Sequence, residues 1–343
     1  MKTKDIKKGI SLIVLIITII VVIILAAVVI LTLSKSNPIE SAKEARFKED
    51  VRTFQDELAL YISKQYANAG GHWDGNITAK TYDEIVDYIP SFTKKYEDKF
   101  IINKNNLEYT NKLDDKEKEH AESLNIKGRL LPLEYQQVEY IESTGSQYIS
   151  TGFCANQNTS FLCDCIITDS LKSGYYQALF GATEYINNKE INRNVLHLHQ
   201  PPKGVMACYG NDLNVNVAFK DFDTRHIYEL KKEQFFVDGE KMVSLKKSIF
   251  QSSADIYIFK DNNPTSITKR NCMMELFNFE IYDDEILIRK YIPCYSIKKV
   301  IDTKGKEYSA GTKGLYDIVE GKFYTNQGDP TKGDFIAGPD VNE

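Results

Sequence analysis

The sequence predicts an α+β chain: an apolar N-terminal helix, a helical stem with a small α+β subdomain, and then an all-β sandwich or jelly roll. Three observations predict it. Residues 10–33 are apolar apart from Ser11, Thr18 and Thr32, with no charge, proline or glycine. Phe47, Val51, Phe54, Leu58 and Tyr61 then step by 4, 3, 4 and 3, a period that keeps side chains on one helix face. From Leu131 the texture changes to short alternating runs with turn residues between them, which is how the strands of a sandwich read.

The apolar run comes first. A helix over Ile10 to Leu33 is roughly 36 Å long at about 1.5 Å per residue, enough to cross a hydrocarbon core of about 30 Å. Lys2, Lys4, Lys7 and Lys8 precede it, with Asp5 and Gly9. This basic head predicts a single-pass cell-membrane protein with a cytoplasmic N-terminus, the bulk of the chain extracellular and the lipid bilayer as a partner. The run exceeds the roughly 7 to 15 apolar residues of a cleaved signal peptide, and Ser34-Lys35-Ser36-Asn37 follows it instead of an Ala-x-Ala site. A plain anchor is one reading. In another, Lys7-Lys8-Gly9-Ile10-Ser11-Leu12-Ile13 resembles the prepilin start of type IV pilins and pseudopilins. That resemblance implies cleavage after Gly9 by a prepilin peptidase, methylation of Ile10 and contact with other pilin-like subunits. Val14 stands where those families usually carry the glutamate that helps subunits dock.

Residues 34–128 form the predicted stem and small subdomain. Ser36-Asn37-Pro38 offers a cap with proline in the first turn, and the amphipathic helix reads to about Tyr66, before Ala69-Gly70-Gly71. Thr81-Tyr82-Asp83-Glu84 starts a short helix through Tyr88, and Asp114 to Leu124 forms another. Between them Phe100-Ile101-Ile102 and Leu107-Glu108-Tyr109 flank Asn103 to Asn106 as a hairpin. Trp73 is expected to pack against the stem. The segment resembles the globular head of pilin-like proteins of Gram-positive bacteria.

Residues 131–338 carry the predicted strands. Phe161, Cys163, Cys165 and Ile167 alternate, and Asp238-Gly239 joins two runs as a two-residue hairpin. The stretch Leu133 to Ile149 (LEYQQVEYIESTGSQYI) resembles the opening of concanavalin A-like, laminin G-like jelly rolls of Firmicutes and their phages. Arg289 to Tyr295, Gly314-Leu315-Tyr316-Asp317 and Gly321-Lys322-Phe323-Tyr324-Thr325-Asn326 resemble the close of such domains. The resemblance implies the sandwich fold. It does not choose a ligand, because lectins, glucanases and adhesive modules share that fold.

Composition narrows the chemistry. A net charge of −5 gives no nucleic-acid footprint. Six cysteines allow 15 full pairings, and Cys163 and Cys165 share one face of a strand, a poor geometry for bridging each other. Buried thiols are expected for most of them. A hydrolase on this fold needs two facing carboxylates. In Glu275 to Glu280 a spacing of five puts the two glutamates on opposite faces of a regular strand, so no catalytic residues are assigned. His197 and His199 lie on one face of a strand, where polar rings facing solvent are expected; zinc needs more ligands. No acidic loop has a convincing calcium spacing, and no cofactor is assigned. Sugar binding needs ring faces and amides near loops: Tyr175, Tyr176, Tyr209, Asn211 and Asp212 are the candidates. The expected function is glycan or surface recognition by an adhesive cell-surface protein. The alternatives are a glycan-processing enzyme on the same fold and a structural minor pilin subunit.

Overall fold

The computed structural model describes all but residues 1–16, 25–37, 74, 169–176, 188, 200–203, 219–220, 265–270, 302–304 and 342–343. Two compact units account for the chain, residues 1–129 and 130–343. Most of the secondary structure is β, with few helices.

In the first unit the helix Pro38–Asn68 lays Phe47, Val51, Phe54 and Leu58 into a core with Ile85, Phe92, Tyr96 and Phe100. Phe54 contacts Phe92 at 5.1 Å and meets Tyr96 edge-on at 5.2 Å. The strands Phe100–Asn103 and Asn106–Tyr109 pair as a hairpin, with Lys104 and Asn105 at positive φ in its turn. Thr81 and Glu84 form a reciprocal capping box on the helix Tyr82–Val86, and Asp114 and Glu117 do the same for Asp115–Ser123. The Trp73 ring meets Tyr66 of the long helix edge-on at 5.5 Å.

The N-terminal expectations need correction. Among the described residues no helix is long and apolar enough to cross a membrane. Of the expected transmembrane segment only residues 17–24 are described, as helix, and eight residues span about 12 Å. The rest of that segment, with Gly9, Ile10 and Val14, lies outside the described residues. A single-pass membrane location is therefore not supported. The pilin-like stem is not evident either, because Pro38–Asn68 spends its one apolar stripe closing the first unit's own core. No observation supports the bilayer, a prepilin peptidase or pilin-like subunits as partners.

The second unit is a two-sheet β sandwich. One sheet has six strands in the order Asp212–Ala218, Gly204–Gly210, Lys189–His199, Gln177–Ile186, Gln251–Ile258, Ile149–Asn156. The other runs Glu240–Ser244, Gln234–Val237, His226–Lys231, Thr159–Ile167, Met273–Asp283, Ile286–Ser296, Lys313–Asp317, Lys322–Thr325, with three short strands beside this path. All their pairings are antiparallel, so inward and outward side chains alternate. Phe180 of the first sheet lies 5.0 Å from Phe161 and 5.2 Å from Phe279 of the second, which places the core between the sheets. Asp238 and Gly239 turn their hairpin with φ of 51° and 78°. All six cysteines are free thiols, five of them buried and Cys154 partly exposed.

Two expectations about side-chain direction are overturned here. The strand Met273–Asp283 bulges between Leu276 and Asn278, so its alternation skips a residue. Leu276, Phe279 and Ile281 all face the core, which leaves Glu275 and Glu280 on the same outer face. His197 does not face solvent. It is 2% exposed and lies 3.5 Å from the buried Asp261 carboxylate. The reason is a second small apolar cluster, Ala178, Val195, Met206 and Cys208, that buries this part of the sheet's outer side.

Candidate ligand-binding site

A cleft of about 350 Å³ opens where the edge strands Ile149–Asn156 and Lys322–Thr325 of the two sheets meet, within the usual range of small-molecule sites of about 300–1,000 Å³. Its floor comes from the second sheet. Antiparallel pairing sets Ile292 opposite Tyr316 and Tyr316 opposite Phe323, which sets three neighbouring strands side by side. Gly314 permits the approach: a Cβ there would lie 2.1 Å from the Tyr324 carbonyl oxygen.

Charge is concentrated on that floor. The Arg289 guanidinium lies between two carboxylates, with Nε 3.4 Å from Asp317 and an Nη2 contact to Glu320. Glu320 also accepts from the Tyr324 hydroxyl at 2.8 Å and pairs with Lys322 at 3.0 Å. Burial works against the Glu320 charge, but Lys322, Tyr324 and Arg289 together hold its carboxyl below the usual range. Asp317 is shifted the other way. Burial dominates and raises it, although the amides of Lys290, Val319 and Glu320 and the guanidinium pull it down. Its carboxylate accepts from the Lys290 amide at 3.1 Å and the Val319 amide at 3.0 Å.

Aromatic rings form one wall. Tyr135 packs between Tyr316 at 4.9 Å and Phe323 at 4.8 Å. Tyr308, from the small hairpin Val300–Ile301 and Glu307–Tyr308, meets Phe323 edge-on at 6.1 Å. The Lys306 ammonium sits 4.9 Å from the Tyr308 ring centre. Ser150, Gly152 and Gln327 line the cleft on the side of the first sheet. Half-exposed rings beside fixed donors and a charged acceptor suit a ligand with both apolar C–H faces and hydroxyls.

The floor is less suited to acid–base chemistry. Two carboxyls shifted in opposite directions are what a glycosidase needs, yet the Asp317 side chain is wholly buried. Outside the floor, Glu275 is raised by burial and by Glu142, which lies directly across the strand pair. Glu280 is held low: burial opposes its charge, but hydrogen bonds from Tyr282, Asn278 and Lys290 outweigh it. Among the described residues no group of three or more histidine, cysteine, aspartate or glutamate side chains is placed to hold a metal ion.

A second cavity, of about 560 Å³, lies on the outer face of the second sheet against Ser160, Leu162, Glu229, Lys231 and Tyr282. Charged side chains there already pair with one another, Lys231 with Glu229 at 2.7 Å and Lys232 with Asp284 at 3.2 Å. It has no wall of rings comparable to the first.

Of the sequence candidates that are described, Tyr209, Asn211 and Asp212, none lines the cleft. Tyr175 and Tyr176 lie outside the described residues, as do Gly9 and Ile10. Tyr209 is buried, meets Phe250 edge-on and donates its hydroxyl to the Gln157 carbonyl at 2.6 Å, so its ring serves the core. Asn211 is exposed in the turn after Tyr209 and accepts from the Asn192 amide at 3.2 Å. The Asp212 backbone pairs with Tyr209 across that turn. Sequence reasoning missed Arg289, Tyr308, Glu320, Lys322 and Phe323. A usable signal was present: four rings (Tyr308, Tyr316, Phe323, Tyr324) crowd into a short closing stretch interleaved with charge.

No protein-family model matches the chain. No curated protein matches it either. Among solved structures it is similar to a "putative carbohydrate binding protein" from Bacteroides ovatus, with 14% identity and a TM-score of 0.36. The match covers 57% of this chain and 59% of that one.

Proposed function

We propose that the second unit is a carbohydrate-binding module of the concanavalin A-like type, which holds a glycan in the 350 Å³ cleft. The observation that carries this reading is the pairing of the Tyr308–Phe323 wall with the Arg289–Glu320–Lys322 floor in one concavity. A pyranose ring presents C–H groups on its face and hydroxyls at its edge. Rings take the first, and a carboxylate flanked by guanidinium and ammonium takes the second. The resemblance of Leu133 to Ile149 to the opening of concanavalin A-like domains supports the same reading. Binding is favoured over hydrolysis because Asp317, the one carboxyl near Glu320 with a raised value, is sealed from any substrate.

The test is a glycan array with the full chain, followed by titration calorimetry of the glycans it retains. Replacing Tyr308 with Ala removes one ring wall. A lost ring contact is worth about 0.5–1.5 kcal/mol, so affinity falls by roughly two- to tenfold. Unchanged affinity in Tyr308→Ala, or sugar released from the bound glycan, overturns the proposal.

A further inference from the structure

The cleft does not end at its own rim. Ser150 and Gln327 line it, and Ser150 faces outward from the first sheet between the buried Ile149 and Thr151. The Gln327 amide donates to the Tyr148 carbonyl at 2.9 Å. Ser150 is paired in register with Tyr257 on the neighbouring strand, and its hydroxyl donates to Asp255. Along Gln251–Ile258 the residues Ile256 and Ile258 are fully buried in the core, so Tyr257 between them points outward. Its ring stacks on Tyr148 with centres 4.8 Å apart and planes 29° apart. The Lys260 ammonium lies 4.3 Å from the Tyr148 ring centre and 6.0 Å from that of Tyr257. Asn262 fixes the neighbouring Asp255, donating to its carboxylate and to its carbonyl at 2.9 Å each.

This second group of side chains repeats the composition of the first. Each has paired aromatic rings, a lysine ammonium against a tyrosine face and a carboxylate held by hydrogen bonds, and the two are joined through the cleft's own wall. We infer that the site binds an internal stretch of an extended oligosaccharide, with Tyr148 and Tyr257 forming a subsite beyond the one at Tyr308 and Phe323. This rests on the glycan-binding reading of the cleft and adds to it the length and direction of the ligand. A module built for a chain end needs one enclosed pocket, whereas here a pair of partly exposed rings adjoins Ser150, which lines the cleft and pairs with Tyr257. Stacked rings also suit the role, because they are rigid and lose little freedom when a sugar settles on them.

The experiment uses the full chain on an array of glucose, N-acetylglucosamine and uronic-acid oligosaccharides in graded lengths, with wild type, Tyr257→Ala and Tyr308→Ala compared. Affinity is expected to rise with oligosaccharide length in wild type. Tyr257→Ala should remove that rise, lowering affinity for the longest oligomers several-fold while leaving the shortest unchanged. Tyr308→Ala should weaken all lengths. If short and long oligomers bind alike, or if Tyr257→Ala behaves as wild type while Tyr308→Ala loses affinity, the second subsite is overturned and the cleft reading stands. If no oligomer of any length is retained, the cleft reading itself fails. Tyr257→Phe serves as the folding control: it keeps the ring and should retain the length dependence, and loss of that dependence in Tyr257→Phe would also count against the subsite.

Discussion

Arg289 shows how much of the site hangs on single residues. It sits between a carboxyl that burial pushes up, Asp317, and one that Lys322, Tyr324 and the guanidinium itself hold down, Glu320. The two have opposite consequences for stability. A carboxyl depressed in the folded state stabilises above its unfolded value, and the benefit is lost as pH falls through the folded value. A raised carboxyl stabilises below its unfolded value, and the benefit is lost as pH rises through the folded value. Wild type should therefore lose the Glu320 contribution on acidification below the ordinary value of 4.5. Replacing Glu320 with Gln should flatten that acid limb, measured as midpoint temperature against pH; an unchanged acid limb would show that Glu320 is not held as described. Neither residue was legible from sequence, because an acidic side chain in a closing turn looks the same whether it faces solvent or a guanidinium. His197 taught the same lesson in reverse: an H-x-H pair on a strand reads as a surface feature, and only the apolar cluster around Val195 reveals that this face is covered.

Among the elements, periodicity was most readable where a single face had to be buried. The stripe Phe47, Val51, Phe54, Leu58 could be taken straight from its steps of four and three, and each of these residues is buried. Phe54 touches three rings of this core, Phe92, Tyr96 and Phe100. Phe54→Ala should cost about 3–5 kcal/mol of first-unit stability, seen as a lowered denaturant midpoint; a change below about 1 kcal/mol would mean that this core is not the one described. The Asp238-Gly239 turn was equally legible, because two consecutive residues at positive φ demand that chemistry. The bulge in Met273–Asp283 was not. Alternation predicts opposite faces for Glu275 and Glu280, and one inserted residue puts them on the same face without leaving a mark in the local composition.

At the scale of the whole molecule, the chain is two units with separate cores, a small helix-and-hairpin unit and a large sandwich. The sandwich was legible as a class from its many short alternating runs, but the strand order was not. Nothing in sequence says that Thr159–Ile167 lies between His226–Lys231 and Met273–Asp283. The same sheet ends its path at Lys322–Thr325, which contacts the edge strand Ile149–Asn156 of the other sheet, and the cleft lies there. Because each core is self-contained, residues 130–343 expressed alone should fold and keep the glycan affinity of the full chain. A fragment that fails to show cooperative unfolding would contradict the separation of cores. The most direct measurement of the central claim is calorimetric titration of the full chain, and of its Tyr308→Ala variant, with a glycan retained on the array. Saturable heat is expected in wild type, with a roughly two- to tenfold weaker affinity in the variant. Equal affinities in the two proteins, or no saturable heat in wild type, would contradict it.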